Sequence, residues 1–259
     1  MTTALAFAIQ LAQQAGQLLL NHHNRTTSAR LKSDQSIVTD ADLAADRLIA
    51  GEIHANFPGE LILSEELQPQ LSGKPGGSMW VVDPLDGTTN FSLGLPYWGI
   101  SIARLFNGKP AMGVLYFPQL DELYSVQAGG GAEYNGSTLV CEHPLVNQPV
   151  SFFSCCSRTY RKFDIKLRYK PRILGSAAYS LCSVARGIAV IAFEATPKIW
   201  DLAAAWLLVQ EAGGIIESYD GLAPFPLRED VDYRQTSFPT LAAISAPQLA
   251  EARQKIIRK

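Results

Sequence analysis

The stretch from Asp83 to Phe91, DPLDGTTNF, constrains this chain more than any other part of it. It directly follows the apolar run 79–82, which is typical of a buried strand. Two carboxylates, Asp83 and Asp86, are therefore expected on a turn in which Pro84 fixes one φ angle and Gly87 permits a positive one. Carboxylates attract hard divalent cations, whereas N–H groups and hydroxyls attract phosphate. The pattern indicates a metal ion and a phosphate held side by side; an ordinary surface turn is the alternative.

Further acids stand at the ends of other predicted elements. Glu65 and Glu66 come directly after the strand candidate 61–63, and Asp201 lies in the first turn of a helix predicted over 199–212. Strand ends in a layered sheet are places where ligand sites collect. The alternatives are solvated glutamates at a helix start and an aspartate that caps a helix. Together these acids favour a cleft between two halves of the chain.

Composition limits the classes of partner. The chain has 259 residues, of which 47% are hydrophobic and 18% charged, as in a folded globular protein. The net charge is -2, so there is no overall basic excess and no nucleic-acid partner is expected. The four cysteines show no metal-ligand spacing and are expected to be reduced thiols of a cytoplasmic protein. The N-terminal stretch is predicted to be an amphipathic helix and not a signal peptide, and no run is long enough to span a membrane.

Periodicity divides the chain into two halves, 1–145 and 146–259, predicted to pack tightly on each other. In the first, two helices pack on a mostly antiparallel sheet. Its helices are predicted over 3–24 and 40–56, and its strands over 61–63, 80–83, 97–106, 110–117, 123–127 and 131–134. The second half alternates strands and helices, as α/β domains do. Its strands are predicted over 150–154, 170–173, 188–193, 214–217 and 240–244, and its helices over 159–167, 176–187, 199–212 and 247–258.

Two motifs in order resemble one known family over essentially the whole chain. The first is WVVDPLDGTTNF at residues 80–91, and the second is WDLAAA at 200–205 followed by EAGG at 211–214. The chain resembles the inositol monophosphatase family, within the superfamily of lithium-sensitive, magnesium-dependent phosphatases that includes fructose-1,6-bisphosphatases. The resemblance implies a layered αβαβα sandwich of the sugar-phosphatase type, an α+β or α/β fold, in a homodimer.

The resemblance also implies roles for particular residues. It implies two or three Mg²⁺ ions, held by Glu65, Asp83, the carbonyl of Leu85, Asp86 and Asp201. The catalytic set would be Thr88, which orients the attacking water, together with Glu65 and Asp86. The substrate would contact Gly87, Thr88, Gly175, Ser176, Ala177, Glu194 and Asp201, with Gly87 and Thr88 binding its phosphate and Glu194 its sugar hydroxyls.

The activity implied is magnesium-dependent hydrolysis of a phosphate monoester by a metal-activated water, with myo-inositol monophosphate as the first expected substrate. The same chemistry on histidinol phosphate, a sugar bisphosphate or a nucleotide 2′- or 3′-phosphate is the alternative. A different class is an interaction protein of the transcription machinery. The chain departs from the family pattern at Ser64 and over 195–198, which affects the identity of the substrate and no metal ligand.

Overall fold

The structure is a computed structural model that describes residues 3–23, 29–31, 37–66, 77–142 and 151–259. Its helices are α1 (Ala4–His23), α2 (Asp40–Asn56), α3 (Thr88–Leu93), α4 (Thr159–Lys162), α5 (Ala177–Ala185), α6 (Ile199–Glu211) and α7 (Ala246–Lys255). Its strands in the first half are β1 (Ala29–Leu31), β2 (Ile37–Thr39), β3 (Leu61–Ser64), β4 (Ser78–Asp86), β5 (Gly99–Phe106), β6 (Lys109–Phe117), β7 (Glu122–Gln127), β8 (Gly131–Tyr134) and β9 (Ser137–Leu139). Those in the second are β10 (Phe152–Cys155), β11 (Phe163–Ile165), β12 (Lys170–Arg172), β13 (Ala189–Glu194), β14 (Ile215–Ser218), β15 (Thr240–Ala243) and β16 (Ile256–Arg258).

A seven-stranded sheet, in the order β3-β4-β5-β6-β7-β8-β9, carries the candidate metal turn. Its strands pair antiparallel except β3 and β4, which are parallel, so the predicted mostly antiparallel sheet is confirmed. Successive side chains of a strand point to opposite faces. Trp80 and Val82 accordingly join the core beneath α1 and α2, whereas Met79 and Val81 join the core beneath α5 and α6. Both faces are covered, which explains the continuous apolar run.

The helix that carries Asp201 lies directly on this sheet. A Cβ atom at Gly113 of β6 would stand 2.8 Å from the Cα atom of Ala204 in α6. Only glycine at this position allows the α6 backbone to approach the sheet so closely. The close approach fixes the depth at which Asp201 meets the end of β4.

The second sheet, in the order β12-β10-β13-β15-β14, lies on the other side of α5 and α6. Its outer face packs on α7 and on the ribbon formed by β11 and β16, with Phe153, Phe193 and Leu241 in the shared core. The layers therefore run helices, sheet, helices, sheet, helix, and the predicted αβαβα sandwich is confirmed. The boundary predicted at residue 145 falls within 143–150, outside the described residues, and stays a prediction.

Two predicted helices are wrong in part. The helix predicted over 159–167 ends at Lys162 and gives way to β11, and the helix predicted over 247–258 ends at Lys255 and gives way to β16. The two short strands pair antiparallel, with Ile165 opposite Ile256. Phe163 and Ile256 of this ribbon are fully buried in the core that it shares with the five-stranded sheet. A contact between segments ninety residues apart therefore overrides the local helical pattern.

The short helix α3 was not predicted, because six residues are too few to show a helical period. Gly87 and Gly94, in left-handed conformations at its two ends, delimit it. In the described residues, no helix combines the length and the apolarity needed to cross a membrane. All four cysteines are free thiols, as expected.

Candidate active site

The turn after β4 buries two carboxylates. Asp83 is 1% exposed and Asp86 8%. The pairing of β4 with β5 shifts register between them, and the backbone N–H of Leu85 donates to Asp83 Oδ1 over 3.0 Å. Gly87 has φ +89°, and a Cβ atom there would lie 2.7 Å from the carbonyl oxygen of Tyr97. The turn therefore requires glycine at this position for two separate reasons.

Asp86 is held by the N-terminus of α5, which comes from the second half of the chain. The hydroxyl of Ser176 donates to Asp86 Oδ2, and the N–H groups of Ala178 and Ala177 donate to its two oxygens over 2.9 and 3.3 Å. Burial raises the pKa of Asp86, these three donors lower it, and the balance is a pKa of about 6. The position of Asp86 therefore depends on both halves of the chain.

Asp201 brings a third carboxylate to the same point. It is the third residue of α6, and the backbone N–H of Lys198 donates to its Oδ2 over 2.8 Å. One carboxylate oxygen from each of Asp83, Asp86 and Asp201 lies within 4.8 Å of the other two. We name these three residues the acidic centre. The predicted convergence of the two motifs is thus observed.

The electrostatics of the acidic centre show how crowded its charges are. Burial, and then the charges of Glu65, Asp86 and Asp201, raise the pKa of Asp83 well above its ordinary value. Burial, and then the charges of Asp86 and Glu65, raise the pKa of Asp201 to about 8. The two side chains also share a hydrogen bond, which requires a proton on one of them.

This donor set fits a divalent metal ion. Every donor is oxygen, the kind of ligand that hard cations such as Mg²⁺ prefer. Glu65 follows β3, its backbone N–H donates to the carbonyl of Val82 over 3.2 Å, and its charge acts on all three aspartates. A cation would replace the protons that the crowded carboxylates otherwise hold.

Thr88 is hydrogen-bonded to a carboxylate that the sequence motifs alone did not assign to the site. Its Oγ1 lies 2.9 Å from Asp42 Oδ1 and 3.1 Å from the carbonyl oxygen of Leu85, and its single hydrogen can be donated to one of them at a time. The backbone N–H of Thr39 donates to the other oxygen of Asp42 over 2.7 Å. Asp42 belongs to a capping box at the start of α2, and that pattern in the sequence suggests only a helix cap.

Glu194 is the last residue of β13 and is 3% exposed, so it is enclosed by the protein although it lies at the end of a strand. Burial raises its pKa to about 8, with hydrogen bonds from Ser180 and Cys156 opposing the rise and the charges of Asp86 and Asp201 adding to it. The charges of the acidic centre therefore act on Glu194, and the second half of the chain encloses its side chain.

Asn90 joins α3 to the small-residue run 175–177. Its side-chain amide donates to the carbonyl of Tyr97 over 2.6 Å and to that of Leu174 over 2.8 Å. Gly175 has φ +80°, and a Cβ atom there would lie 2.7 Å from the Asn90 amide. Close contact across the two halves therefore explains the small residue at this position.

Comparison with known proteins identifies the family. Residues 1–258 match the model of the inositol monophosphatase family. A fructose-1,6-bisphosphatase/inositol-1-monophosphatase of Thermotoga maritima is 35% identical over 84% of this chain and 85% of its own. A protein of Pasteurella multocida named Nus factor SuhB is 34% identical over 85% of this chain and 87% of its own. The crystal structure of the extragenic suppressor protein suhB of Bartonella henselae superposes with a TM-score of 0.82 at 29% identity, over 98% of this chain and 99% of that one. The chain belongs to the inositol monophosphatase family, whose fold is that of a metal-dependent phosphatase.

Proposed function

We propose that this protein is a magnesium-dependent phosphomonoesterase whose first substrate is myo-inositol monophosphate. The convergence of Asp83, Asp86 and Asp201, supplied by both halves of the chain, carries the proposal. Three buried carboxylates with raised pKa values constitute an incomplete site that a divalent cation completes. The adjoining turn supplies hydroxyl and N–H groups suited to a phosphate.

The metal ligands that we assign are Glu65, Asp83, the carbonyl of Leu85, Asp86 and Asp201, for two or three Mg²⁺ ions. When bound, such ions neutralise phosphate charge, lower the pKa of water and stabilise a leaving oxygen. The chain itself places the carboxylates. Ser176 and the first N–H groups of α5 orient Asp86, and the N–H of Lys198 orients Asp201.

Thr88 is the group that we assign to positioning the attacking water. When its hydrogen is donated to Asp42, its lone pairs are free to accept a hydrogen bond from water. The proton that the water loses can then pass to the Thr88 oxygen as the threonine proton moves to Asp42. The N–H groups of Gly87 and Thr88, at the first turn of α3, are assigned to the phosphate oxygens.

The alcohol of the substrate would lie on the side of the second half, towards residues 175–177 and Glu194. We expect Glu194→Ala to lower kcat/KM for myo-inositol 1-phosphate about tenfold more than for 4-nitrophenyl phosphate. An enclosed carboxylate that accepts hydrogen bonds from substrate hydroxyl groups favours substrates that have them over substrates that lack them. Steady-state kinetics on both substrates measures this difference. Asp230→Asn, an exposed acid in a loop of the second half, is the control. An equal loss of kcat/KM on both substrates would show that Glu194 does not recognise the alcohol of the substrate.

The acidic centre is equally suited to hydrolysing other phosphate monoesters, so the decisive test compares several of them as substrates. Phosphate release would be measured with inositol, histidinol, sugar-bisphosphate and nucleotide 2′- and 3′-phosphates, with Mg²⁺, with EDTA and with added lithium. We expect magnesium-dependent release, fastest with inositol monophosphate and inhibited by lithium. No release from any member would favour the other class, an interaction protein of the transcription machinery, which the relative named as a Nus factor supports.

A homodimer in the cytoplasm is part of the proposal. Leu93 and Leu95, at the end of α3 and just after it, are 70% and 47% exposed. Ile173 is 53% exposed and precedes Leu174, whose carbonyl accepts a hydrogen bond from Asn90 of α3. Exposed apolar side chains on segments that are hydrogen-bonded to each other are typical of a contact between subunits. Sedimentation velocity should give twice the 28.2 kDa chain mass, and a monomer at micromolar concentration would contradict this part.

A further inference from the structure

The charge of this protein is segregated in a way that its net value conceals. Residues 158–172 and 255–259 contain ten lysines and arginines and one acid, a formal charge of +9. The remaining 239 residues therefore carry -11, because the whole chain carries -2. We call the surface formed by these two segments the basic face.

The fold brings the two segments together although they lie far apart in the chain. Strands β11 and β16 pair antiparallel, with Phe163 opposite Arg258. The pairing continues at both ends, where the N–H of Lys259 donates to the carbonyl of Lys162 over 3.0 Å and the N–H of Lys166 donates to that of Lys255 over 2.8 Å. Lysines thus stand beside lysines at each end of the ribbon.

The cations of the basic face are exposed and carry little internal compensation. All ten are solvent-exposed. Within the described part of the chain, Lys259 pairs with Asp164 at 3.8 Å between two exposed groups, where such pairs contribute little, and the charge of Glu251 acts on Arg168. Like charges opposite each other in a sheet are destabilising. A surface that gathers cations at this cost is suited to a ligand that is itself a polyanion.

We propose that the basic face binds single-stranded nucleic acid through its phosphate backbone. Five of the ten cations are arginines, which pair bidentately with phosphate. Tyr160, 39% exposed, lies between Arg158 and Arg161, where a base can stack on it, and Arg168 stacks on the ring of Tyr169 at 5.4 Å. Exposed arginines beside aromatic rings are features of single-strand binding.

The ribbon is less suited to an anionic membrane. Its exposed apolar side chain, Ile257, stands opposite Asp164 in the strand register, so insertion of Ile257 would carry a carboxylate towards the lipid. The β11–β16 ribbon of the basic face is also separate from the acidic centre, since it packs in the layer of α7, beyond the five-stranded sheet, and Lys170 and Arg172 lie on the edge strand β12 of that sheet. Binding is therefore expected to be independent of the phosphatase activity.

The test is fluorescence anisotropy with a labelled 20-nucleotide mixed-sequence RNA at several salt concentrations. The variant replaces Arg161, Lys162, Lys166 and Arg168 with glutamine. The control variant replaces Arg47, Lys109, Arg228 and Arg234, four exposed cations elsewhere, so that both lose the same charge. Both variants should unfold cooperatively at a temperature no lower than about that of the wild type and release phosphate at the wild-type rate, which shows that they fold.

We expect the wild type to bind, the basic-face variant to bind at least tenfold more weakly, and the control to bind within about twofold of the wild type. The slope of log K against log salt should become shallower by about 2 to 3 in the basic-face variant, since each phosphate contact to a single strand contributes about 0.7. Equal weakening of both variants, or no RNA binding, would overturn the proposal. Binding to phosphatidylserine vesicles or to polyglutamate without binding to RNA would also overturn it.

Discussion

The acidic centre and the basic face both gather like charges, but in opposite surroundings. The carboxylates are buried, so their repulsion and desolvation raise their pKa values and make them retain protons. The cations of the basic face are exposed, so water and salt screen them. A buried cluster therefore selects a small ion that can replace its protons, whereas an exposed cluster attracts a large polyanion with an affinity that salt reduces.

The largest effect should come from removing one charge of the acidic centre. We expect Asp86→Asn to lower kcat at least 100-fold, about 2.7 kcal/mol in barrier. Without magnesium the variant should be no less stable than the wild type, because it relieves repulsion. Assays of phosphate release and urea unfolding in EDTA measure the two effects. Asp86 would be only a turn residue if more than a tenth of kcat remained.

A smaller effect is expected from the neighbouring hydroxyl. Thr88→Ala should lower kcat at least tenfold, about 1.4 kcal/mol, with KM changed less than threefold, because a group that orients water acts mainly in the transition state. Ser92→Ala is the matched control, since Ser92 donates to the carbonyl of Thr88 from the exposed side of the same helix. If KM rose while kcat stayed constant, Thr88 would instead bind the phosphate of the bound substrate.

The smallest effect concerns the exposed cluster. Lys255→Gln removes one like charge from the end of the ribbon, so the free energy of unfolding should rise by about 0.2 to 0.5 kcal/mol at low salt. The gain should vanish in 1 M salt, where the Debye length is about 3 Å. Urea unfolding at both salt concentrations tests this difference. A gain that did not depend on salt would mean that the lysines of the ribbon do not repel each other.

The two regions also differ in how far the sequence predicts them. Most of the acidic centre follows from local patterns, because β4 with its turn and the first turn of α6 each carry a recognisable motif. The role of Asp42 could not be separated from helix capping, since its contact with Thr88 joins residues 46 positions apart. The basic face was missed altogether. Residues 159–167 and 247–258 follow helical patterns in the sequence, and only the pairing of β11 with β16 brings them together.

The burial of Glu194 shows a further limit of prediction. The strand that ends there was predicted, but the enclosure of Glu194 depends on Ser180 of α5 and on Cys156, which follows β10. A strand end carrying an acid is equally compatible with solvent and with a pocket. Only the packing of α5 against β13 decides between them.

The central claim is that the acidic centre retains protons which a divalent cation displaces. Titration calorimetry of Mg²⁺ into the metal-free protein, at pH 7 in two buffers of different ionisation enthalpy, measures those protons directly. The pKa of Asp201 is about 8, so this carboxyl holds a proton at pH 7, and burial with the neighbouring charges raises the pKa of Asp83 as well. We predict that about one proton or more is released per protein at pH 7, and fewer as the pH rises past about 8. Magnesium binding without proton release at pH 7, or no magnesium binding, would contradict the claim.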